Sequence, residues 1–333
     1  GQMSDSAFYF VATVLKALVI LAVIALLSGL ATYAERKVLA FMQRRIGPSM
    51  VGPMGLLQVG ADMIKLFTKE DAIPARANKL LFKIAPIISA TGAFVALSVV
   101  PLLPEFTIGG RTIQPILSDI NVGILFLLGA SGTCVYGLLI GGLASYNKWG
   151  TIGAFRAFLQ ITCFEVINGL SLIPIVMITG SLSLIDIVSA QSGGIDKWFI
   201  WKEPVCFALF LIAAFVECNR TPLCLTENET EIVAGAGTAY SGMRWGMFFI
   251  GEYANIITYS VVTTLLFLGG FNAFWFIPGG VMMVLKSSLV FFCFLWARAA
   301  WPHLRPDQLM GLCWKVCMPL ALACVLITAL AIV

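Results

Sequence analysis

The sequence predicts an all-α integral membrane protein of about eight transmembrane helices, with amphipathic helices in a long first inner loop. Three observations predict it. Of the 333 residues, 59% are hydrophobic and only 11% charged, against roughly 45–50% and 25% in a soluble domain. The apolar residues gather in runs of about the ~20 residues that cross ~30 Å of hydrocarbon. The basic residues between these runs alternate in density.

The runs lie near 8–32, 80–103, 120–146, 158–179, 204–217, 241–269, 279–298 and 310–333. They give a single membrane domain over 1–333. The first run, Phe8 to Ala31, exceeds the ~7–15 residues of a signal h-region and lacks a small-residue cleavage site, so it reads as a span. The fifth is short unless the residues around Glu217 lie within the membrane.

Eight spans put both termini on one side, and charge selects that side. The odd-numbered loops carry 13 basic residues: Arg36, Lys37, Arg44, Arg45, Lys65, Lys69, Arg76, Lys148, Arg156, Arg220, Arg244, Arg298 and Arg305. The opposite loops carry three, Arg111, Lys197 and Lys202. Loop 33–79 is therefore expected on the inner side and both termini outside. Lys16, Lys79, Lys83, Lys286 and Lys315 lie in or beside spans and are expected to snorkel.

Within loop 33–79, Gly47-Pro48 and Gly52-Pro53 fix turns. Beyond them Gln58, Asp62, Lys65 and Lys69 recur at i, i+4, i+7 and i+11, one face of a helix whose other positions include Leu56, Leu57, Ile64 and Phe67. Such a helix lies on the membrane surface or covers a cavity; a plain solvated surface helix is the alternative.

An ionisable side chain inside a span costs at least ~2.5–3.5 kcal/mol and usually faces protein or a water-filled cavity. Glu165 lies nine residues beyond Arg156, and Glu252 eight beyond Arg244. Both should sit roughly 12–14 Å deeper than an inner-side arginine. Two acids at similar depth suggest a polar line suited to loading and releasing protons; a neutral Glu hydrogen-bonded between helices is the bland alternative. The fifth loop gathers Glu217, Glu227, Glu229 and Glu231 with only Arg220 nearby. It reads as a proton-collecting mouth, a docking surface or a merely solvated acidic loop.

Several patterns exclude other chemistries. None of the nine cysteines forms a Cys-x-x-Cys pair, and His303 is the only histidine. The chain is therefore expected to hold no metal, iron–sulfur cluster or haem of its own. Gly235-Ala-Gly237 lacks the strand and third glycine of a nucleotide fingerprint. No nucleophile arrangement or nucleic-acid surface is visible.

Longer motifs are more specific. Ala34-Glu35-Arg36-Lys37-Val38 precedes Gln43-Arg44-Arg45-Ile46-Gly47-Pro48, Val51-Gly52-Pro53, Gly55-Leu56-Leu57-Gln58, Ala61-Asp62, Lys65-Leu66 and Lys69-Glu70-Asp71. Further on stand Asp119-Ile120-Asn121-Val122-Gly123-Ile124-Leu125, Phe164-Glu165-Val166 and Glu217-Cys218-Asn219-Arg220-Thr221-Pro222. Last come Tyr240-Ser241-Gly242-Met243, Glu252-Tyr253-Ala254-Asn255 and Asp307-Gln308-Leu309-Met310. In this order the chain closely resembles the quinone-site membrane subunit (H type in bacterial naming) of respiratory complex I, the proton-translocating NADH:quinone oxidoreductase. It departs from that family at Cys224, Thr226 and Ala239, where an aspartate, a proline and a glutamate are usual.

The resemblance implies an eight-span subunit without a complete active site of its own. Its amphipathic loop and inner helix ends would enclose a chamber for ubiquinone or menaquinone, reduced by an iron–sulfur cluster in a neighbouring subunit. Arg36, Asp62 and Lys65 match chamber positions, and Gln58 joins them on the polar stripe. Glu165, Glu217, Glu227, Glu229, Glu231 and Glu252 match carboxylates linked to proton transfer. Implied partners are peripheral quinone-module subunits on the inner side, small membrane-arm subunits laterally, quinone and lipid, but no nucleic acid. The implied location is a bacterial cytoplasmic or mitochondrial inner membrane. The equivalent subunit of a membrane-bound hydrogenase or photosynthetic-type complex is the nearest alternative, and a stand-alone ion transporter the more distant one.

The topology is testable directly. A reporter fused after Val333 is expected on the outer side and one inserted in 59–76 on the inner side. An inner-side C-terminus would overturn the span count.

Overall fold

The computed structural model describes residues 5–102, 106–108, 111–113, 120–224, 233–272 and 277–332. Helix α1 runs Asp5–Met42, and a 3₁₀ turn at Pro53–Gly55 leads into α2, Gln58–Thr68. Then come α3 (Lys79–Leu97), strands β1 (Phe106–Ile108) and β2 (Arg111–Ile113), α4 (Gly123–Ala144) and α5 (Lys148–Thr179). Short helices α6 (Leu184–Ala190) and α7 (Phe199–Lys202) precede α8 (Pro204–Glu217) and α9 (Gly242–Phe267). Helix α10 spans Gly279–Ala300. The last helix, α11, runs Pro306–Ile332 with a π turn at Cys313–Cys317.

Among the described residues, six helices are long and apolar enough to cross a membrane: Thr13–Met42 of α1, then α3, α4, α5, α10 and α11. Each of the other two predicted runs also holds a helix. Helix α8 has 14 residues, all but its ends strongly apolar, and α9 has 26 but carries Arg244, Glu252 and Asn255.

Two boundaries and one small element differ from the sequence expectation. Helix α1 continues to Met42, past the apolar run, because its charged last turns are held by the bundle rather than released into a loop. Helix α5 starts at Lys148 instead of 158, capped where the Asn147 side chain accepts from the Trp149 amide at 3.3 Å. The all-α reading misses an antiparallel hairpin, with Phe106 opposite Ile113 and Ile108 opposite Arg111. Phe-Thr-Ile and Arg-Thr-Ile are β-prone triplets too short for a periodicity signal.

Helix α9 is the axis of the bundle, packed by α1, α2, α3, α8 and α10. Its hydroxyls are buried but not orphaned. Thr258, Ser260 and Thr263 return hydrogen bonds of 2.6–2.8 Å to carbonyls four residues earlier. Bonded within the helix, they can sit where water is absent. Tyr259, fully buried, shares its hydroxyl with Ser131 of α4 at 3.1 Å and accepts from the Asn168 amide of α5 at 3.2 Å.

The far end of α9 is held by two polar side chains. Gln191 donates to Leu265 O (2.9 Å) and Leu266 O (3.2 Å) and accepts from the Gly269 amide at 2.9 Å. The Lys286 ammonium donates to Leu268 O at 2.6 Å and Gly270 O at 3.2 Å, 4.1 Å from the Trp198 ring centre. Lys286 was expected to snorkel; only 7% exposed, it caps helix carbonyls instead. A cation among the C-terminal carbonyls of a helix is well placed for their partial negative charge.

Helices α3 and α4 approach through glycine. A Cβ built on Gly137 would lie 2.6 Å from Ser89 N and 2.9 Å from Ala85 O, both backbone atoms that cannot turn aside. Small residues at such contacts let membrane helices pack backbone to backbone. Gly137→Val is therefore expected to cost about 1–3 kcal/mol of packing, seen as a lower melting midpoint in detergent and less assembled protein. Gly129→Ala, where nothing lies within 4 Å, is the control and should lose nothing.

Candidate functional site

A cavity of about 420 Å³ lies between α1, α2 and α9. Helix α2 reaches it because glycines make room on both sides. A Cβ on Gly29 of α1 would meet Val59 at 2.8 Å, and one on Gly246 of α9 would meet Leu66 at 3.0 Å. The turn before α2 depends on Gly55, at φ +81°, whose Cα faces the Pro48 carbonyl so closely that no side chain fits. Beyond α2, Arg244 of α9 binds Asp71 at 3.0 Å, and Ser241 Oγ donates to Glu70 O at 3.2 Å. The amphipathic helix is thus pinned at both ends over the cavity.

The α2 side of the cavity is polar. Arg36 of α1 binds Asp62 at 2.6 Å, and Gln58 Nε2 donates to the other Asp62 oxygen at 3.1 Å. Lys65 and Lys69 line the same wall. The α9 side is aromatic. Trp245 stacks on Phe249 at 4.7 Å between ring centres, and Phe249 meets Tyr253 edge-on at 5.0 Å. This i, i+4, i+8 ladder leads inward from the mouth.

At its inner end the Tyr253 hydroxyl donates to the Glu35 carboxylate at 2.8 Å. Glu35 is only 4% exposed and holds a second and a third partner. Arg220 Nη1 reaches both its oxygens, at 3.0 and 3.2 Å, and Arg298 pairs with Oε1. The Arg220 guanidinium also lies 4.4 Å from the Tyr253 ring centre. Burial disfavours its charge, but Tyr253, Glu35 and Glu252 outweigh burial and keep it protonated.

A second polar pocket follows. Glu252, next to Tyr253 in sequence, lines a cavity of about 10 Å³ with Glu217, Asn219, Asn255 and Ser89. That is room for roughly one water molecule. Among the described residues, Glu217 Oε2 and Asn219 Oδ1 have no hydrogen-bond partner there. Glu165 lies on the far side: its carboxylate packs into the space a Cβ on Gly132 would take, and it is near enough to Glu217 to repel it.

The geometry can be set beside known proteins. A family profile described as "NADH dehydrogenase" matches residues 15–329. The chain belongs to the NADH dehydrogenase family. It is 71% identical over 331 residues to the H subunit of NADH-quinone oxidoreductase from Campylobacter hominis, covering 99% of this chain and 100% of that one. It is 66% identical to the protein of the same name from Campylobacter curvus, with the same coverage, and 63% identical to that from Campylobacter concisus over 99% of both.

In this member of the NADH dehydrogenase family, three of the four expected chamber residues, Arg36, Asp62 and Lys65, line the main cavity. Gln58 does not; it lies on an adjoining hollow with Arg36, Arg45 and Gly47 and reaches the cavity only through Asp62. Of the acids, Glu252 and Glu217 share a pocket and Glu165 neighbours Glu217. Glu217 was read both as the end of the fifth apolar run and as part of an acidic loop; it is the last residue of α8, 4% exposed, and Arg220 turns away to Glu35. Glu227, Glu229 and Glu231 lie outside the described residues.

Sequence reasoning missed Glu35 as a site residue, along with its pairing to Arg220 and Arg298. Its only local signal was a glutamate at the rim of an apolar run; its partners lie 185 and 263 residues away. It also missed the Trp245–Phe249–Tyr253 ladder, although the four-residue spacing was visible.

The two arginines should differ in weight. The Arg220 side chain is 6% exposed, that of Arg298 39%. Breaking a buried pair costs about 3–5 kcal/mol, an exposed one at most about 1 kcal/mol. Arg220→Met is expected to lower the melting midpoint several-fold more than Arg298→Met. Equal losses would mean that Glu35 is solvated after all.

Proposed function

We propose that this chain is the quinone-chamber subunit of a proton-pumping NADH-quinone oxidoreductase. The observation that supports this reading most is the succession of polar groups: Asp62 and Lys65 at the cavity, Tyr253 and Glu35–Arg220 at its deep end, then the pocket of Glu252 and Glu217 with Glu165 beside it. The cavity suits a quinone, with an aromatic wall for a planar ring and an isoprenoid tail, and charged donors opposite for carbonyl oxygens. The substrate gains two electrons, from the iron–sulfur cluster of a neighbouring peripheral subunit, and two protons.

The work of this chain in that reaction is orientation and proton supply. The Arg36–Asp62 pair and Lys65 place positive charge where a reduced headgroup develops negative charge. Tyr253 joins the chamber to Glu35, which two arginines hold in place. The cluster then faces Glu252, which shares its pocket with Glu217. A change of charge at the headgroup is felt at Tyr253 and Glu35 and, through Arg220, at Glu252. Protons then move among Glu252, Glu217 and Glu165 toward the lateral neighbours. Glu227, Glu229 and Glu231 are assigned to the entrance of this route.

In this reading all eight helical segments cross the membrane. The α2 end faces the inner side, where peripheral subunits dock, and both termini lie outside. The two segments that fall short on apolarity or length, α9 and α8, are the ones that carry Glu252 and Glu217. In α9 apolarity is given up where the polar route needs side chains.

Two experiments test it. Asp62→Lys or Lys65→Glu should lower quinone reduction at least about tenfold while NADH oxidation by a hydrophilic artificial acceptor stays intact. Equal loss of both would indicate failed assembly. In assembled complexes, Glu→Gln at Glu165, Glu217 or Glu252 should lower turnover and proton pumping together, with Glu→Asp intermediate, because glutamine keeps the shape but cannot titrate. Wild-type rates in all three Gln variants would leave these residues as interhelical hydrogen-bonding groups.

A further inference from the structure

At the end of α8 opposite Glu217, two cysteines and a carboxylate come together apart from the cavity and its acids. Glu203 immediately precedes α8, and Cys206 lies in its first turn, fully buried. Cys324 of α11, 8% exposed, interacts with Cys206 side chain to side chain. Glu203 spans the two helices. Its Oε2 accepts from the Cys206 thiol at 3.5 Å, and its Oε1 accepts from the Thr328 hydroxyl at 2.9 Å. Thr328 stands one helical turn beyond Cys324, so α11 supplies both the second thiol and the group that orients the carboxylate.

This arrangement has the parts of a dithiol centre. The thiolate is the reactive form of cysteine, and Glu203 is in contact with the Cys206 thiol to take the proton released when it forms. A nucleophile, a proton acceptor in contact with it and a third group orienting the acceptor is the general pattern of an activated nucleophile. Glu203 is partly exposed, so a proton passed to it can leave. Both cysteines are free thiols in the structure.

We propose that Cys206 and Cys324 form an intramolecular disulfide that joins α8 to α11, with Glu203 accepting the Cys206 proton. The oxidant is of the disulfide class, a small disulfide or a thiol–disulfide oxidase. The Cys206 thiolate attacks one sulfur of the oxidant, forming a mixed disulfide and releasing one thiolate. Cys324, losing its own proton, attacks the Cys206 sulfur and releases the second thiolate. Two cysteine thiols become one disulfide, the oxidant is reduced to two thiols, and the two protons pass to them. The link closes a loop across the last third of the chain and ties α11 to the bundle.

The test uses membranes carrying the assembled protein, treated with 4,4′-dithiodipyridine, denatured, alkylated and analysed as peptides by mass. The expected result is joint loss of Cys206 and Cys324 alkylation, a linked peptide pair containing both, and recovery on reduction. Cys206→Ser should leave Cys324 alkylatable, and Cys324→Ser should leave Cys206 unlinked to any other cysteine. Glu203→Gln should slow the reaction several-fold without abolishing it; an unchanged rate would remove Glu203 from the chemistry. Cys206 and Cys324 remaining fully alkylatable, while the denatured protein oxidises, would overturn the proposal, as would linkage of either to Cys163, Cys218 or Cys313. No readout depends on quinone or proton chemistry, so failure here leaves the proposed function standing.

Discussion

The bundle is organised around one buried carboxylate. Glu35 ends the apolar part of α1, and without partners its burial would be prohibitive, since an isolated charge taken from water costs far more than any single contact returns. Tyr253 of α9, Arg220 after α8 and Arg298 of α10 all converge on it. That convergence fixes the relative rotation of three helices that share no sequence neighbourhood. It also explains why α1 stays helical through Glu35 and Arg36, which places Arg36 against Asp62. The cavity's polar wall and its deep end thus depend on the same two adjacent residues.

A buried ion pair of this kind is weak evidence for stability, because replacing all its members by apolar groups is often neutral or stabilising. Its value here is specification. Among the described residues, Nε and Nη2 of Arg220 and Oε2 of Glu217 have no hydrogen-bond partner.

Much of the architecture was legible in the sequence because it rests on local periodicity. The polar stripe Gln58, Asp62, Lys65 and Lys69 located α2 within a residue or two, since a 3.6-residue repeat is a one-dimensional signal. The apolar runs located helices for the same reason. What stayed hidden was non-local. No spacing connects Glu35 with Arg298, or Gln191 and Lys286 with the end of α9. For Glu217 the sequence left two readings, the end of a run or the start of a loop; packing of Val216 and Phe215 against the core decides for the first. Lys286 was misread for the converse reason, since snorkelling assumes lipid around a lysine, and this one has carbonyls.

The Glu35 cluster also imposes an order on biosynthesis. Arg298 follows Glu35 by 263 residues, a lag of about 13–50 s at synthesis rates of roughly 5–20 residues per second. Throughout that interval the first helix is in the membrane while its acid lacks at least one of its cations. The complete cluster therefore cannot form on a chain that stops before α10.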